Sequence, residues 1–260
     1  MAKESVSLDK KEHLAMLTLR RPRHGNTITT SLASELREAC SLLAQDSEVW
    51  VVLLQAEGEH FCLGSDSNII PKSSSPEEIQ QAFVTSRVAQ VLAGLGKPII
   101  AAINGSAIGQ GLEIVLACDI RIASTSAQFG FPDILLGHIP WDGGTQRLPR
   151  LVGRAVAVDM LLTGRLFGPE EAYSVGLISK IVKKPGDLEK EAKAVASTIA
   201  SYPPIAAKYA KETVYGGMDM SLESGLRLET DLNLILHSTY DRNEGITAFL
   251  EKRTPRYTGG

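Results

Sequence analysis

Two short runs, residues 50–54 and 98–103, are apolar at every position. Runs this short and uniformly apolar suit β-strands covered on both faces, the situation of strands inside a parallel sheet. Helical patterns lie between them. Within residues 29–46, Leu32, Leu36, Ala39 and Leu43 recur at helical spacing, with Thr30 or Ser31 placed to cap the helix. Residues 76–95 give a second helix with an acidic first turn. Ahead of both, residues 5–9 and 13–22 read as strands around a charged turn. The order strand, helix, strand, helix, strand predicts an α/β core. From about residue 145 helical segments dominate. Residues 71–78, rich in Ser and Pro, read as a mobile loop. No internal repeat is evident.

The bulk numbers exclude several functions. With 260 residues, the chain can bury a substantial core. A net charge of −3 gives no reason to expect a nucleic-acid partner. Three well-separated cysteines and five scattered histidines form no CxxC pair and no metal-ligand spacing, so no metal site is expected and a reducing compartment, the cytoplasm, fits best. The polar N-terminus lacks the apolar core of a signal peptide, and no apolar run is long enough to cross a membrane.

Chemistry concentrates in three stretches. The first, AINGSAIGQGLEIVLACDI (residues 102–120), follows the second apolar strand. It is no P-loop, because no Lys follows Gly109 or Gly111, and GQGLEI lacks the third glycine of a dinucleotide turn. A strand, a tight glycine-rich turn and a helix beginning near Gly109 remain. Unpaired N–H groups at a helix start, approachable across glycine, can form an oxyanion hole. Glu113, one turn in, is either a carboxylate beside that pocket or an exposed first-turn residue. The second stretch, residues 129–153, carries Asp133 after Pro132, then Gly137, His138, Pro140, Gly143 and Gly144. Asp133 is either a general acid or base in an apolar wall or a helix cap. The third, EGEHFCLGSDSNI (residues 57–69), is a loop that either supplies a second oxyanion donor or lies idle at the surface.

Together these stretches resemble the enoyl-CoA hydratase/isomerase (crotonase) family over nearly the whole chain. LTLRRPRHGNTIT, FCLGSDSNI, KPIIAAINGSAIGQGLEIVLACDIRIAS, AQFGFPDILLGHIPWDGGTQRLPRLVG, LLTGRLFGPEEAYSVGLISKIV and GITAFLEKRTPRY match its motifs in order. The resemblance implies a spiral of ββα units over residues 1–195. It also implies a helical region over 196–260 for oligomerisation and CoA covering, and a homotrimer or dimer of trimers. It implies an acyl-CoA substrate, with CoA as part of the substrate and no separate cofactor. The expected activity is hydration of an α,β-unsaturated acyl-CoA thioester, with double-bond isomerisation as the nearest rival and thioester hydrolysis or dehalogenation behind it.

Carried over position by position, the resemblance implies backbone oxyanion donors at Ser65 and Gln110, with Glu113 and Asp133 as the two catalytic acids. Glu113 would activate water and Asp133 would deliver the proton. Substrate or CoA contacts fall on Arg23, Gly64, Asp66, Ser67, Gly109, Trp141, Phe249 and Lys252. The chain departs from the family pattern at four places. Asp133 replaces Glu, drawing the carboxylate back by about 1.5 Å, one C–C bond. Gln110 replaces a glycine, Ser65 an alanine, and Trp141-Asp142 a small Gly-Ala pair. The last change points to a cyclic or bulky acyl group. Asp142 reads as a turn residue or as a third carboxylate of the site.

Overall fold

The computed structural model describes residues 5–69 and 75–260. Residues 71–74 of the expected loop therefore lie outside the described residues. Ser75 begins the next helix with a capping box, its side chain accepting from Glu78 N–H while Glu78 accepts from Ser75 N–H.

Strands β1 (Val6–Lys11) and β2 (Leu14–Leu19) form an antiparallel hairpin. Helix α1 (Thr30–Gln45), strand β3 (Val51–Ala56), helices α2 (Pro76–Ser86) and α3 (Ala89–Ala93) and strand β4 (Ile99–Ile103) follow. Then come β5 (Ala107–Ile108), α4 (Gln110–Leu116), β6 (Ile120–Ser124) and β7 (Phe129–Gly130). The helical remainder holds α5 (Gly144–Val152), α6 (Arg154–Thr163), α7 (Pro169–Ser174), α8 (Leu188–Ala200), α9 (Pro204–Gly217), α10 (Leu222–Leu236) and α11 (Tyr240–Glu251). One short strand, β8 (Lys180–Val182), interrupts it.

The main sheet runs β1-β2-β3-β4-β6-β8, parallel throughout except for the β1–β2 pair. Its interior strands are covered on both faces. Val52 and Leu54 of β3 point into the larger core with α1 and α4, while Val51 and Leu53 face Leu188, Ala192 and Ala196 of α8. Alternation with both faces buried is why residues 50–54 carry no polar position. A second sheet pairs only β5 with β7.

Three local expectations shift. Thr29, not Thr30 or Ser31, caps α1, its hydroxyl accepting from Leu32 N–H at 3.2 Å. Thr29 is itself extended, with φ −100° and ψ 168°, so helical geometry starts at Thr30 and the cap falls one position before it. The single helix expected over 76–95 is two, broken at Arg87 and Val88. The boundary placed at 195/196 falls inside α8; core contacts continue through that helix, and the next begins at Pro204.

The topology brings the three chemical stretches together. Strands β3, β4 and β6 are parallel neighbours, and each stretch leaves the C-terminal end of one of them. Loops at that edge of a parallel sheet converge on a crevice.

Candidate active site

The loop after β3 and the turn after β4 are pressed together at glycines. A Cβ on Gly111 would lie 2.1 Å from Cys62 O, and one on Gly105 would lie 1.8 Å from Glu59 O. Gly64 is left-handed, with φ +96°, and a Cβ there would stand 3.0 Å from Ile108 O and 3.7 Å from Gln110 N. The loop is also held from below. Asn26, fully buried with φ 53°, donates from Nδ2 to Glu57 O at 3.0 Å and His60 O at 2.9 Å. Sequence reasoning passed over Asn26, whose only local signal was its place in a Gly-Asn turn.

Helix α4 starts where Gly109 takes φ 52°, ψ −125°, a conformation essentially reserved for glycine. Gln110 N–H therefore emerges at the helix start beside the Gly64–Ser65 backbone. Among the described residues, neither the Ser65 nor the Gln110 amide donates to a backbone carbonyl. The Gln110 side chain does not enter the crevice. It is buried, and its Oε1 accepts from Ser65 Oγ at 2.7 Å.

Glu113 is 1% exposed, which removes the surface alternative. Its Oε1 accepts from Asp142 N–H and Gly144 N–H, each at 2.7 Å. Burial pushes its pKa up to about 8; the Gly144 amide works against that rise, and the charges of Asp142 and Asp133 add to it.

Asp133 lies in a 3-10 turn (Pro132–Leu136) and caps no helix. It is buried, and Oδ1 lies 3.5 Å from His138 Nδ1. Oδ2 has no hydrogen-bond partner. A Cβ on Gly109 would stand 3.6 Å from that oxygen, so the Asp133 carboxyl borders the start of α4. Burial raises its pKa, with a backbone hydrogen bond and His138 opposing the rise.

Trp141 is half-buried, with its ring 5.2 Å from Phe83 and 5.7 Å from His138, and its Nε1 has no partner. It also lines a cavity of about 220 Å³ together with Arg87, Gln90, Pro140 and Arg147. Asp142 is not a free acid of the crevice. Its carboxylate accepts from Ala89 N–H at 2.7 Å and Gln90 N–H at 3.1 Å, which starts α3 and explains the helix break at Arg87 and Val88.

The remaining expected contacts sit outside this cluster. Arg23 and Ser67 are exposed, and Asp66 accepts from Asn68 N–H at 3.0 Å. Phe249 is 83% exposed on α11, and Lys252 ends that helix with φ 56°. Neither makes a hydrogen bond or ion pair through its side chain among the described residues. The structure thus unites Gly64, Ser65, Gly109, Gln110, Glu113, Asp133 and Trp141, and leaves Arg23, Ser67, Phe249 and Lys252 at its surface. Among the described residues no group of His, Cys, Asp and Glu side chains is arranged to hold a metal ion.

A family model described as enoyl-CoA hydratase/isomerase matches residues 9–260. The (E)-benzylidenesuccinyl-CoA hydratase of Thauera aromatica is 40% identical over 257 residues, 98% of this chain and 99% of the relative. The crotonyl-CoA hydratase of Syntrophomonas wolfei is 35% identical, covering 99% of each chain. A crystal structure of enoyl-CoA hydratase from Bacillus anthracis superposes with a TM-score of 0.94 at 38% identity, over 98% of this chain and 100% of that one. With its parallel sheet, its glycine-pressed loops and these matches over nearly its full length, the chain belongs to the enoyl-CoA hydratase/isomerase family.

Proposed function

We propose that this chain is an enoyl-CoA hydratase that adds water across the double bond of an α,β-unsaturated acyl-CoA thioester. The observation that carries the reading is the pair of buried carboxyls, Glu113 and Asp133, at the start of α4, where the Ser65 and Gln110 amides meet. Full-length relatives named as hydratases support it.

In this reading the thioester oxygen accepts from the N–H groups of Ser65 and Gln110. Water attacks C3, the double-bond electrons move toward the thioester, and negative charge grows on its oxygen. Two fixed donors stabilise that charge, each contributing about 2.7–4 kcal/mol. Glu113 takes the proton from the attacking water, and Asp133 gives its proton to C2. A carboxyl whose pKa is raised is a stronger base once ionised and a better reservoir of a proton before that. CoA is a part of the substrate, and the reaction as written calls for no further cofactor.

Trp141 shapes the acyl end of the pocket for a ring or another bulky group. Gly64, Gly109, Asp66 and Ser67 line the approach of the thioester, and Arg23 reaches toward CoA. The chain forms a trimer or a dimer of trimers, supported by exposed apolar side chains on the C-terminal helices, among them Met218, Leu222, Leu234 and Leu250. Phe249 and Lys252 then cover the CoA of a neighbouring subunit. The elements through α8 supply the catalytic core, and the helices from Pro204 onward form the assembly region. Three buried free cysteines suit a reducing cytoplasm. No helix among the described residues is long and apolar enough to cross a membrane.

The test follows enoyl absorbance and product mass with straight-chain and cyclic enoyl-CoA thioesters. A gain of one water supports hydration. An unchanged mass with a moved double bond replaces it with isomerisation, and release of free CoA replaces it with hydrolysis.

A further inference from the structure

Three of the positions where this chain departs from the family pattern are joined by hydrogen bonds. Gln110 is 2% exposed, and both ends of its amide are used. Oε1 accepts from Ser65 Oγ at 2.7 Å, while Nε2 donates to Ser86 O at 2.5 Å and to Asp142 Oδ2 at 3.2 Å. Asp142, also 2% exposed, holds the N–H groups of Ala89 and Gln90 on the same carboxylate. Arg147 donates to the Asp142 carbonyl at 2.7 Å. The Asp142 N–H goes to Glu113 Oε1. A continuous path therefore runs from the oxyanion loop at Ser65, through two buried side chains, to the carboxyl of Glu113.

We infer that Gln110 and Asp142 are positioning residues that lock the oxyanion loop and the Glu113 carboxyl into one fixed relation, a role that rests on the hydratase reading of the site. The Asp142 carboxylate is committed to amide donors on α3 and to Gln110, so it neither attacks substrate nor carries its proton. Its backbone cannot shift without dragging Glu113 Oε1. The Gln110 amide has no substitute in glutamate, because both Nε2 hydrogens point at acceptors. Misplacement of a reacting group by about 1 Å costs roughly a hundredfold in rate, so a lock of this kind acts on turnover more than on binding.

The experiment compares Gln110→Ala, Gln110→Glu, Asp142→Asn and the Gln110→Ala/Asp142→Asn double variant with the parent on crotonyl-CoA. Expected is a fall in kcat of roughly 10- to 100-fold with KM changed by less than about threefold. Gln110→Glu should fall further than Gln110→Ala, because it sets a carboxylate against Asp142 and Ser86 O. The double variant should be no slower than the slower single one, as for members of one network. Additive losses, or a raised KM at unchanged kcat, overturn the proposal.

A readout independent of turnover is the titration of Glu113 by 13C-carboxyl NMR. The ionisable groups facing it are Asp142 and Asp133, the latter beside His138. Asp142→Asn, which removes the Asp142 charge, should lower the Glu113 pKa, whereas Gln110→Ala, which loosens the loop carrying the two amide donors, should raise it. An unmoved titration in folded variants also overturns the lock. A parent that hydrates no enoyl thioester sinks the hydratase reading, and the titration then decides the network by itself.

Discussion

The Asp142 N–H donates to Glu113 Oε1 across 29 residues of sequence, at 2.7 Å, and Gly144 N–H meets the same oxygen. One oxygen of the carboxyl is thus held by the backbone, and Oε2 makes no hydrogen bond among the described residues. A buried carboxyl fixed by one oxygen presents the other in a constant direction, which is what proton transfer to or from a bound water requires.

Glu113→Gln keeps the acceptor for both amides and removes the charge. Hydration should fall by roughly 10²- to 10⁴-fold, the usual contribution of a general acid or base. Stability should move the other way. Glu113 binds its proton more tightly in the folded chain, at about 8, than at its ordinary value of 4.5. Its contribution to stability is therefore complete below 4.5 and is lost as pH climbs through about 8. At pH 9 the Gln variant should be more stable than the parent by more than about 1 kcal/mol, as expected for a shift of more than one pKa unit. Equal melting at pH 5 and pH 9 would contradict the burial of this charge.

The pH profile follows from the same group. A water-activating Glu113 works ionised and a proton-giving Asp133 works protonated, so kcat in the parent should pass through a maximum in pH. Asp133→Asn should lower that maximum and leave a residual rate set by Glu113 alone, rising with pH through a midpoint slightly below about 8, because Asp133 contributes only a small part of the upward push on Glu113. A residual rate that falls across that range in Asp133→Asn would reverse the assigned roles.

Gly109→Ala should damage the site while leaving the sheet intact. The residue would have to adopt φ 52° with ψ −125°, at a strain of about 1–3 kcal/mol. Its methyl group would sit 3.6 Å from Asp133 Oδ2, between the carboxyl and the start of α4. Thermal melting and kcat should both drop. A variant with parental kcat would show that this approach is not used in catalysis.

Trp141→Ala tests the shape of the acyl pocket. An aromatic stacking contact is worth about 0.5–1.5 kcal/mol. The kcat/KM for a cyclic enoyl thioester should fall roughly two- to tenfold, with crotonyl-CoA changed less. Equal losses on both substrates would remove Trp141 from acyl selection.

Residues 50–54 and 98–103 determined the parallel sheet by composition alone, because a strand buried on both faces admits no polar residue. The glycines of 105–111 announced a tight turn after a strand, and Glu113 and Asp133 stood out as acids in apolar surroundings. Those signals are local, and local periodicity can carry them. The break between α2 and α3 could not be seen this way, since nothing in residues 76–95 forces it. It depends on a carboxylate from Asp142, more than fifty residues away. The same holds for Asn26 under the oxyanion loop and for the choice between a surface and a buried Glu113. Which side chain meets which amide at such separations is decided by how β3, β4 and β6 lie side by side, and only the folded chain sets that.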